Sequence, residues 1–160
     1  MVDKYLDRGN MYVLFQDDTA ISECVVTDEG NKILEIKNLA TNPDFQHQGY
    51  AQKLVEFIEQ KYRGQFDILQ VGTGDSPLTL PFYEKIGFRV SGRKRNFFVD
   101  NYDHPIFEAG KQLVDMIYLQ KRLQLQKTLN FCILTEIERL LFYLLEVNFI
   151  WIISQTSYTM

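Results

Sequence analysis

Cysteine is nearly absent from this 160-residue chain, which has only Cys24 and Cys132. Two cysteines build neither a disulfide framework nor a cysteine-rich metal cluster, and a chain of this length buries a core large enough to fold without them. Such sparse usage points to a reducing, cytoplasmic setting. Histidine is equally rare: His47 and His104 stand far apart, neither with a second ligand at suitable spacing, so no metal is expected. A basic excess is missing as well, since 17 Lys and Arg face 21 Asp and Glu for a formal charge of −4. A duplex nucleic-acid binder of this size carries the opposite balance. The short cluster Arg89, Arg93, Lys94 and Arg95 reads as a solvated strand end, and no nucleic-acid partner is expected. Long hydrophobic runs are also lacking: the longest, 140–145 and 149–153, hold six and five residues. A membrane-spanning helix needs roughly 20. No basic-then-apolar leader opens the chain, so neither a secretory signal nor a membrane role is expected.

What is present is unevenly spread. Residues 1–122 carry fifteen of the basic and eighteen of the acidic side chains, and 123–160 carry only Lys127, Glu136, Glu138, Arg139 and Glu146. No repeat, low-complexity tract or Gly/Ser linker separates the two parts. In the second part Leu134, Ile137, Leu141, Leu144 and Leu145 fall at helical spacing, which predicts an apolar helix over about 130–150. Exposed, such a helix is an aggregation hazard. It must pack on the body, on another subunit or on a membrane, and the expectation is that it covers sheet surface in its own chain or in a partner chain, the second case giving a homodimer. A displaced reading frame at the end is the duller origin of the same pattern.

The first part alternates strand and helix signals. Residues 11–16 and 19–27 read as a hairpin around Asp17-Asp18, and 33–40 as a third strand after the turn at 28–31. Residues 49–62 read as a helix with Leu54, Phe57, Ile58 and Tyr62 at helical spacing. A strand over 66–72, a short helix over 78–86 stopped by Gly87, and strands over 88–95 and 113–121 follow, with an aromatic, acidic loop at 96–112. Hairpins first and a helical crossover later predict an α+β (mixed α/β) fold, a mostly antiparallel sheet with flanking helices.

The segment most informative about chemistry is Gln46-His47-Gln48-Gly49-Tyr50-Ala51, between the third strand and the first long helix. N–H groups in a first helical turn have no partner within the helix and sit at the positive end of its dipole. Gly49 and the small Ala51 let a pyrophosphate approach that backbone, where bulkier residues hold it away. Neither a Gly-Lys-Ser/Thr loop nor a full Gly-x-Gly-x-x-Gly is present; Gly72-Thr73-Gly74 is half of one, with Pro77 where the third glycine belongs.

Thirty-three residues after Gly49 stands Phe82-Tyr83-Glu84-Lys85-Ile86-Gly87-Phe88. The pair of motifs resembles the GNAT superfamily of acyl-CoA-dependent N-acetyltransferases. There a Gln/Arg-x-x-Gly-x-Gly/Ala loop binds the CoA pyrophosphate and a later helix carries a Phe-Tyr-x-x-x-Gly-Phe box. Gln46, Gly49 and Ala51 match the first, and Tyr83, Gly87 and Phe88 the second, within a resemblance covering about residues 10–121. Val71–Ser76 and Asp115–Leu119 look like a bacterial small-molecule branch of that family.

The resemblance implies direct acetyl transfer from acetyl-CoA to a primary amine of a small molecule or peptide. Leu39, Ala40 and Thr41 would offer backbone contacts on a splayed strand, and residues 46–51, His47, Gln48 and Tyr50 included, would hold the pyrophosphate. Tyr83 is the candidate general acid to the CoA sulfur, a protonated phenol at neutral pH, or else a buried structural tyrosine. Glu35, on the strand before the cradle, is the candidate general base acting through water, or else an ordinary polar residue of a half-exposed strand. Asp75 and Ser76 would touch CoA or cap the next helix. Lys53 reads as a solvated helix face, and His104 as a solvated loop residue near the acceptor site. The first strand and helix usual in the family have no counterpart before residue 10, which leaves a second reading, a catalytically weak acyl-CoA-binding protein that keeps the fold. Asp100, Asp103 and Glu108 would suit a cationic acceptor.

Overall fold

A computed structural model describes residues 7–123, and the predicted apolar helix at 130–150 lies outside the described residues. Residues 7–9 turn into a run of strands, β1 (Asn10–Gln16), β2 (Thr19–Asp28) and β3 (Ile33–Thr41). A 3-10 turn at Pro43–Phe45 leads to α1 (Tyr50–Tyr62), then β4 (Ile68–Gly74), α2 (Thr79–Lys85) and β5 (Arg89–Lys94). The short α3 (Phe97–Asn101), the two-residue strands β6 (Phe107–Glu108) and β7 (Lys111–Gln112), and β8 (Met116–Arg122) complete the order.

Six strands form one sheet in the order β1-β2-β3-β4-β8-β5. Every neighbouring pair is antiparallel except β3–β4. That parallel pair is the one joined by a helical crossover, α1, as parallel pairing requires. The mostly antiparallel sheet with flanking helices is the predicted architecture.

The core follows from two periodicities meeting. Leu54, Val55, Ile58 and Tyr62 of α1 are buried, a single helical stripe. They pack in one cluster with alternate strand residues, Cys24 and Val26, Leu34 and Ile36, Leu69 and Val71, and Ile117 and Leu119. Phe57, predicted on the stripe, lies at its border, 47% exposed, with its ring 5.6 Å from that of Tyr12. Phe88 is wholly buried and joins the cluster to α2 through Tyr83, ring centroids 5.5 Å apart.

Two features of the sheet shape what lies at its centre. β3 and β4 pair only from Ile33↔Ile68 to Ile36↔Val71. Beyond that point β3 stays with β2 as far as Ser22↔Thr41, and β4 stays with β8 as far as Gly74↔Met116. The two strands therefore diverge. The divergence begins at a bulge: Val25 faces Asn38 and Val26 faces Ile36, so Lys37 is an extra residue on β3. A bulge bends its strand and increases its twist, which turns β3 away from β4. On the β4 side, Gly72 and Gly74 make room for neighbours. A Cβ would lie 2.8 Å from Met116 Sδ at Gly72 and 2.7 Å from Leu113 Cδ1 at Gly74.

The segment 96–112, predicted as a loop, contains α3 and the β6–β7 hairpin instead. Its two-residue turn is Ala109-Gly110, with φ of 49° and 77°. That is the backbone of a type I′ turn, which the sequence disguises by placing alanine where asparagine or glycine is usual. Among the described residues no helix is long and apolar enough to cross a membrane.

Because Phe88 connects the core to α2, Phe88→Ala is expected to destabilise the fold by about 3–5 kcal/mol. Chemical denaturation should register this as a lower midpoint with an unchanged slope.

Candidate active site

The turn between β3 and α1 is built from short-range bonds. Asn42 Oδ1 accepts from Asp44 N–H at 3.1 Å, and Phe45 N–H donates to Asn42 O at 2.9 Å. The chain then passes through His47, φ 59°, and Gly49, φ 85°. Gly49 is the N-cap of α1 and supplies no side-chain cap, and the first turn contains no acidic residue. The N–H groups of residues 47–52 find no acceptor among the described residues. They stand at the positive end of a thirteen-residue helix. A Cβ at Gly49 would project into open space with nothing within 4 Å. An anion that caps the helix has room there, and a larger side chain would occupy that room in a strained backbone conformation.

In front of this helix end lies a cavity of about 410 Å³, lined on one side by Leu39, Thr41 and the turn and on the other by α2. Of the sequence-predicted residues, Leu39, Thr41, Gln46, His47, Gly49, Tyr50, Ala51 and Tyr83 line it. Ala40 does not; it alternates to the other face of β3, opposite Glu23. Gln46 lends its side chain to the turn, Nε2 donating to Thr41 O at 3.2 Å. Gln48 does likewise, Nε2 donating to Asp44 O at 3.2 Å, and lies outside the lining. The Tyr50 hydroxyl donates to Gln16 Oε1 at 3.1 Å. Lys53 Nζ lies 5.2 Å from the Tyr50 ring centroid. Phe45, Gln52, Leu78, Thr79, Phe82 and Lys85 also line the cavity and were not singled out from sequence. Their signal was the helical spacing of 78, 79, 82 and 83 beside the recognised tyrosine.

Asp75 and Ser76 are not part of this lining. Ser76 is buried, and its Oγ accepts from Leu78 N–H at 3.1 Å, fixing the turn before α2. Asp75 pairs with Lys111 at 3.1 Å and Arg93 at 3.8 Å. Arg93 also meets Asp115 at 2.9 Å, so two acids engage a member of the basic cluster noted in the sequence.

Tyr83 is 6% exposed, its ring 5.0 Å from Phe82 and 5.5 Å from Phe88. Burial, with a smaller contribution from Cys24, pushes its phenol well above the usual tyrosine value. The hydroxyl makes no hydrogen bond to a described residue, so a proton donor is held in the cavity wall without a protein acceptor.

A second cavity of about 560 Å³ adjoins the divergence of β3 and β4, bordered by Ile36, Lys37 and Asn38 on one strand and Gly72, Thr73 and Gly74 on the other. Glu35 lies in its floor, 8% exposed. Lys37 Nζ donates to Glu35 Oε1 at 2.6 Å and Gln70 Nε2 to Oε2 at 2.7 Å. Gln120 Nε2 in turn donates to Gln70 Oε1 at 2.7 Å. Tyr118, in the same wall, has its phenol raised by burial and by the negative charge of Glu35. Glu23, which sequence reasoning passed over, accepts from Asn38 Nδ2 at 2.5 Å through Oε1, and its buried Oε2 has no partner. Burial raises its carboxyl above the usual range. His104 lies apart from both cavities, exposed and 2.6 Å from Asp103.

An uncapped helix start beside diverging strands is the arrangement that the resemblance to the GNAT superfamily implied. The family model described as "Acetyltransferase (GNAT) domain" matches residues 7–90. The chain is 35% identical over 121 residues, 74% of this chain and 78% of the relative, to an uncharacterized N-acetyltransferase, YvbK, of Bacillus subtilis. A crystal structure of a GNAT family acetyltransferase from Elizabethkingia anophelis with acetyl-CoA bound superposes with a TM-score of 0.72 at 35% identity, over 76% of this chain and 80% of that one. A Bacillus subtilis acetyltransferase in complex with CoA gives 0.72 at 34% identity, over 77% and 82%. The chain belongs to the GNAT acetyltransferase family and is an acyltransferase of the N-acetyltransferase type.

The Lys37–Glu35 pair is largely shielded from water, with side chains 17% and 11% exposed. Lys37→Met leaves Glu35 with one donor fewer and is expected to cost about 1–3 kcal/mol. Adding Glu35→Gln should recover part of the loss in a denaturation double-mutant cycle; strictly additive effects would show the pair to be uncoupled.

Proposed function

We propose that the protein transfers an acetyl group from acetyl-CoA directly to a primary amine of a small molecule or peptide. The observation that carries this reading is the divergence of β3 and β4, with the helix-end cavity and Tyr83 on one side and the Glu35 cavity on the other. Relatives that hold acetyl-CoA or CoA support the donor. The backbone N–H groups of 47–52 bind the pyrophosphate, with Gly49 and Ala51 keeping the approach open. The unpaired edge of β3 at Leu39–Thr41 meets the pantetheine arm and its thioester carbonyl, whose oxygen gains charge in the transition state. Asp75 and Ser76 act through the structure around α2 rather than by contact with the donor.

The acceptor arrives as an ammonium ion. It gives one proton to water held by Glu35, whose two oxygens keep Lys37 and Gln70 and retain lone pairs for that water. The free amine attacks the thioester carbon, a C–N bond forms and the C–S bond breaks. The nitrogen releases a second proton, the leaving sulfur gains one from Tyr83, and one of the two protons given up by the nitrogen restores the phenol through water. The products are the acetamide, CoA as its thiol and one proton to solvent. Tyr83 suits the acid role because burial keeps its hydroxyl protonated at neutral pH.

A second reading, acyl-CoA binding with weak catalysis, is favoured by the engagement of both Glu35 oxygens. Acetyl-CoA-dependent thiol release against a panel of amines separates the two. Tyr83→Phe is expected to lower kcat about a hundredfold or more while acetyl-CoA affinity by calorimetry stays within about threefold. Unchanged turnover would remove Tyr83 from the mechanism. Glu35→Gln should lower kcat/KM most at the acidic end of the pH range, where deprotonating the ammonium is hardest; a uniform loss would reassign Glu35 to structure.

A further inference from the structure

We propose that the acceptor carries a second cationic group, which Glu108 receives inside the aromatic wall of the Glu35 cavity; this rests on the transferase reading above. The charged side chains lining that cavity are Arg8, Glu35, Lys37 and Glu108. Arg8 is taken up by Glu29 at 2.9 Å, and Lys37 by Glu35 at 2.6 Å and Glu29 at 3.2 Å. Two cations and two carboxylates thus cancel. Glu108 remains, its carboxylate with neither an ion pair nor a hydrogen bond to any described residue. Its nearest lysine across the hairpin, Lys111, pairs with Asp75 at 3.1 Å instead. The β6–β7 hairpin holds Glu108 half-buried.

A carboxylate that lines a cavity without a protein partner leaves its charge to be met by water or by a bound cation. The surroundings favour a cation further, because Phe97, Phe98, Tyr102 and Tyr118 line the same space and ring faces attract positive charge. The other acids of this region contribute nothing there. Asp100 and Asp103 do not line the cavity, and Asp103 is engaged by His104. The reacting nitrogen belongs at the opening bordered by Asn38, Thr73 and Gly74, and Glu108 lines the same volume of about 560 Å³. One small molecule can occupy both places. A monoamine leaves Glu108 empty, and an amino carboxylate sets like charges together. The chemistry points to a small diamine or an amine bearing a guanidinium.

The test is kcat/KM for thiol release by the full-length protein with linear diamines, monoamines of matched length and matched amino carboxylates. The expected result is a diamine preference of about tenfold to a hundredfold over the matched monoamine, the range of one charge-assisted contact. Glu108→Gln should bring the two within about threefold, and Glu108→Lys should turn the ranking toward the amino carboxylate. Turnover without diamine preference in the wild-type protein, or a preference that survives Glu108→Gln, overturns the acceptor assignment alone. No thiol release with any amine, while acetyl-CoA still binds, overturns the transferase reading and this assignment with it. The wild-type ranking decides the matter even where a Glu108 variant fails to fold.

Discussion

The structure depends on a pairing that is withheld. β3 and β4 hydrogen-bond over four residue pairs and then separate, although both strands continue. Backbone groups left bare inside a sheet carry a penalty of about 1–3 kcal/mol each when they are also shielded from water. The fold limits that penalty in two ways. Each diverging strand keeps its outer neighbour, β2 for β3 and β8 for β4, so only one edge of each is unpaired. The divergence also opens onto cavities on both faces, where water or a ligand amide can complete the bonds. One extra residue, Lys37, sets the bend.

That residue also sets the electrostatics. Bulged out of β3, Lys37 reaches both Glu35 and Glu29, and Arg8 reaches Glu29 in turn. The same local irregularity that parts the strands therefore fixes the carboxylate beside the opening. On the other side there is almost no charge. Tyr83 sits among Phe82, Phe88 and Leu39, where burial keeps the phenol protonated. A paired carboxylate lines one cavity and a protonated phenol the other. On the proposed reading that is the polarity needed when a proton leaves an amine and another arrives on a sulfur.

Much of this was legible in the sequence, and for physical reasons. The strands of the first hairpin, the α1 stripe and the α2 box announce themselves because local periodicity and buried surface agree there. Gly49 was readable from its place in a Gln-x-x-Gly-x-Ala pattern at a helix start, and its φ of 85° adds a conformational reason for glycine there. The misses share a cause of another kind. The β6–β7 hairpin hides behind an Ala-Gly turn whose positive φ values the sequence does not advertise. Gly72 and Gly74 look like half a phosphate loop, yet they exist because Met116 and Leu113 lie over them from a distant strand. The strand divergence and the two-sided embrace of Glu35 involve pairings of residues 35 positions apart, which no local window contains. Asp75 and Ser76 were chosen for their place at a strand end. Their side chains turn instead to Lys111 and to the Leu78 amide.

The two cavities also differ in what they leave unfinished. At the helix end the deficit is of acceptors: N–H groups at 47–52 without partners and an N-cap that offers no side chain. Only an anion or its equivalent completes it, and its position is fixed by backbone, so it discriminates little between ligands beyond charge and reach. At the other cavity the proposed deficit is of a single cation opposite Glu108, a side chain carried on a two-stranded hairpin. A backbone-built site suits a ligand held in common, whereas a side-chain-built site on a short connection can change without disturbing the sheet. On the proposed reading a division of labour follows from where each deficit is anchored: the donor would be read by the turn built into the fold, and the acceptor by a short connection less tied to the core.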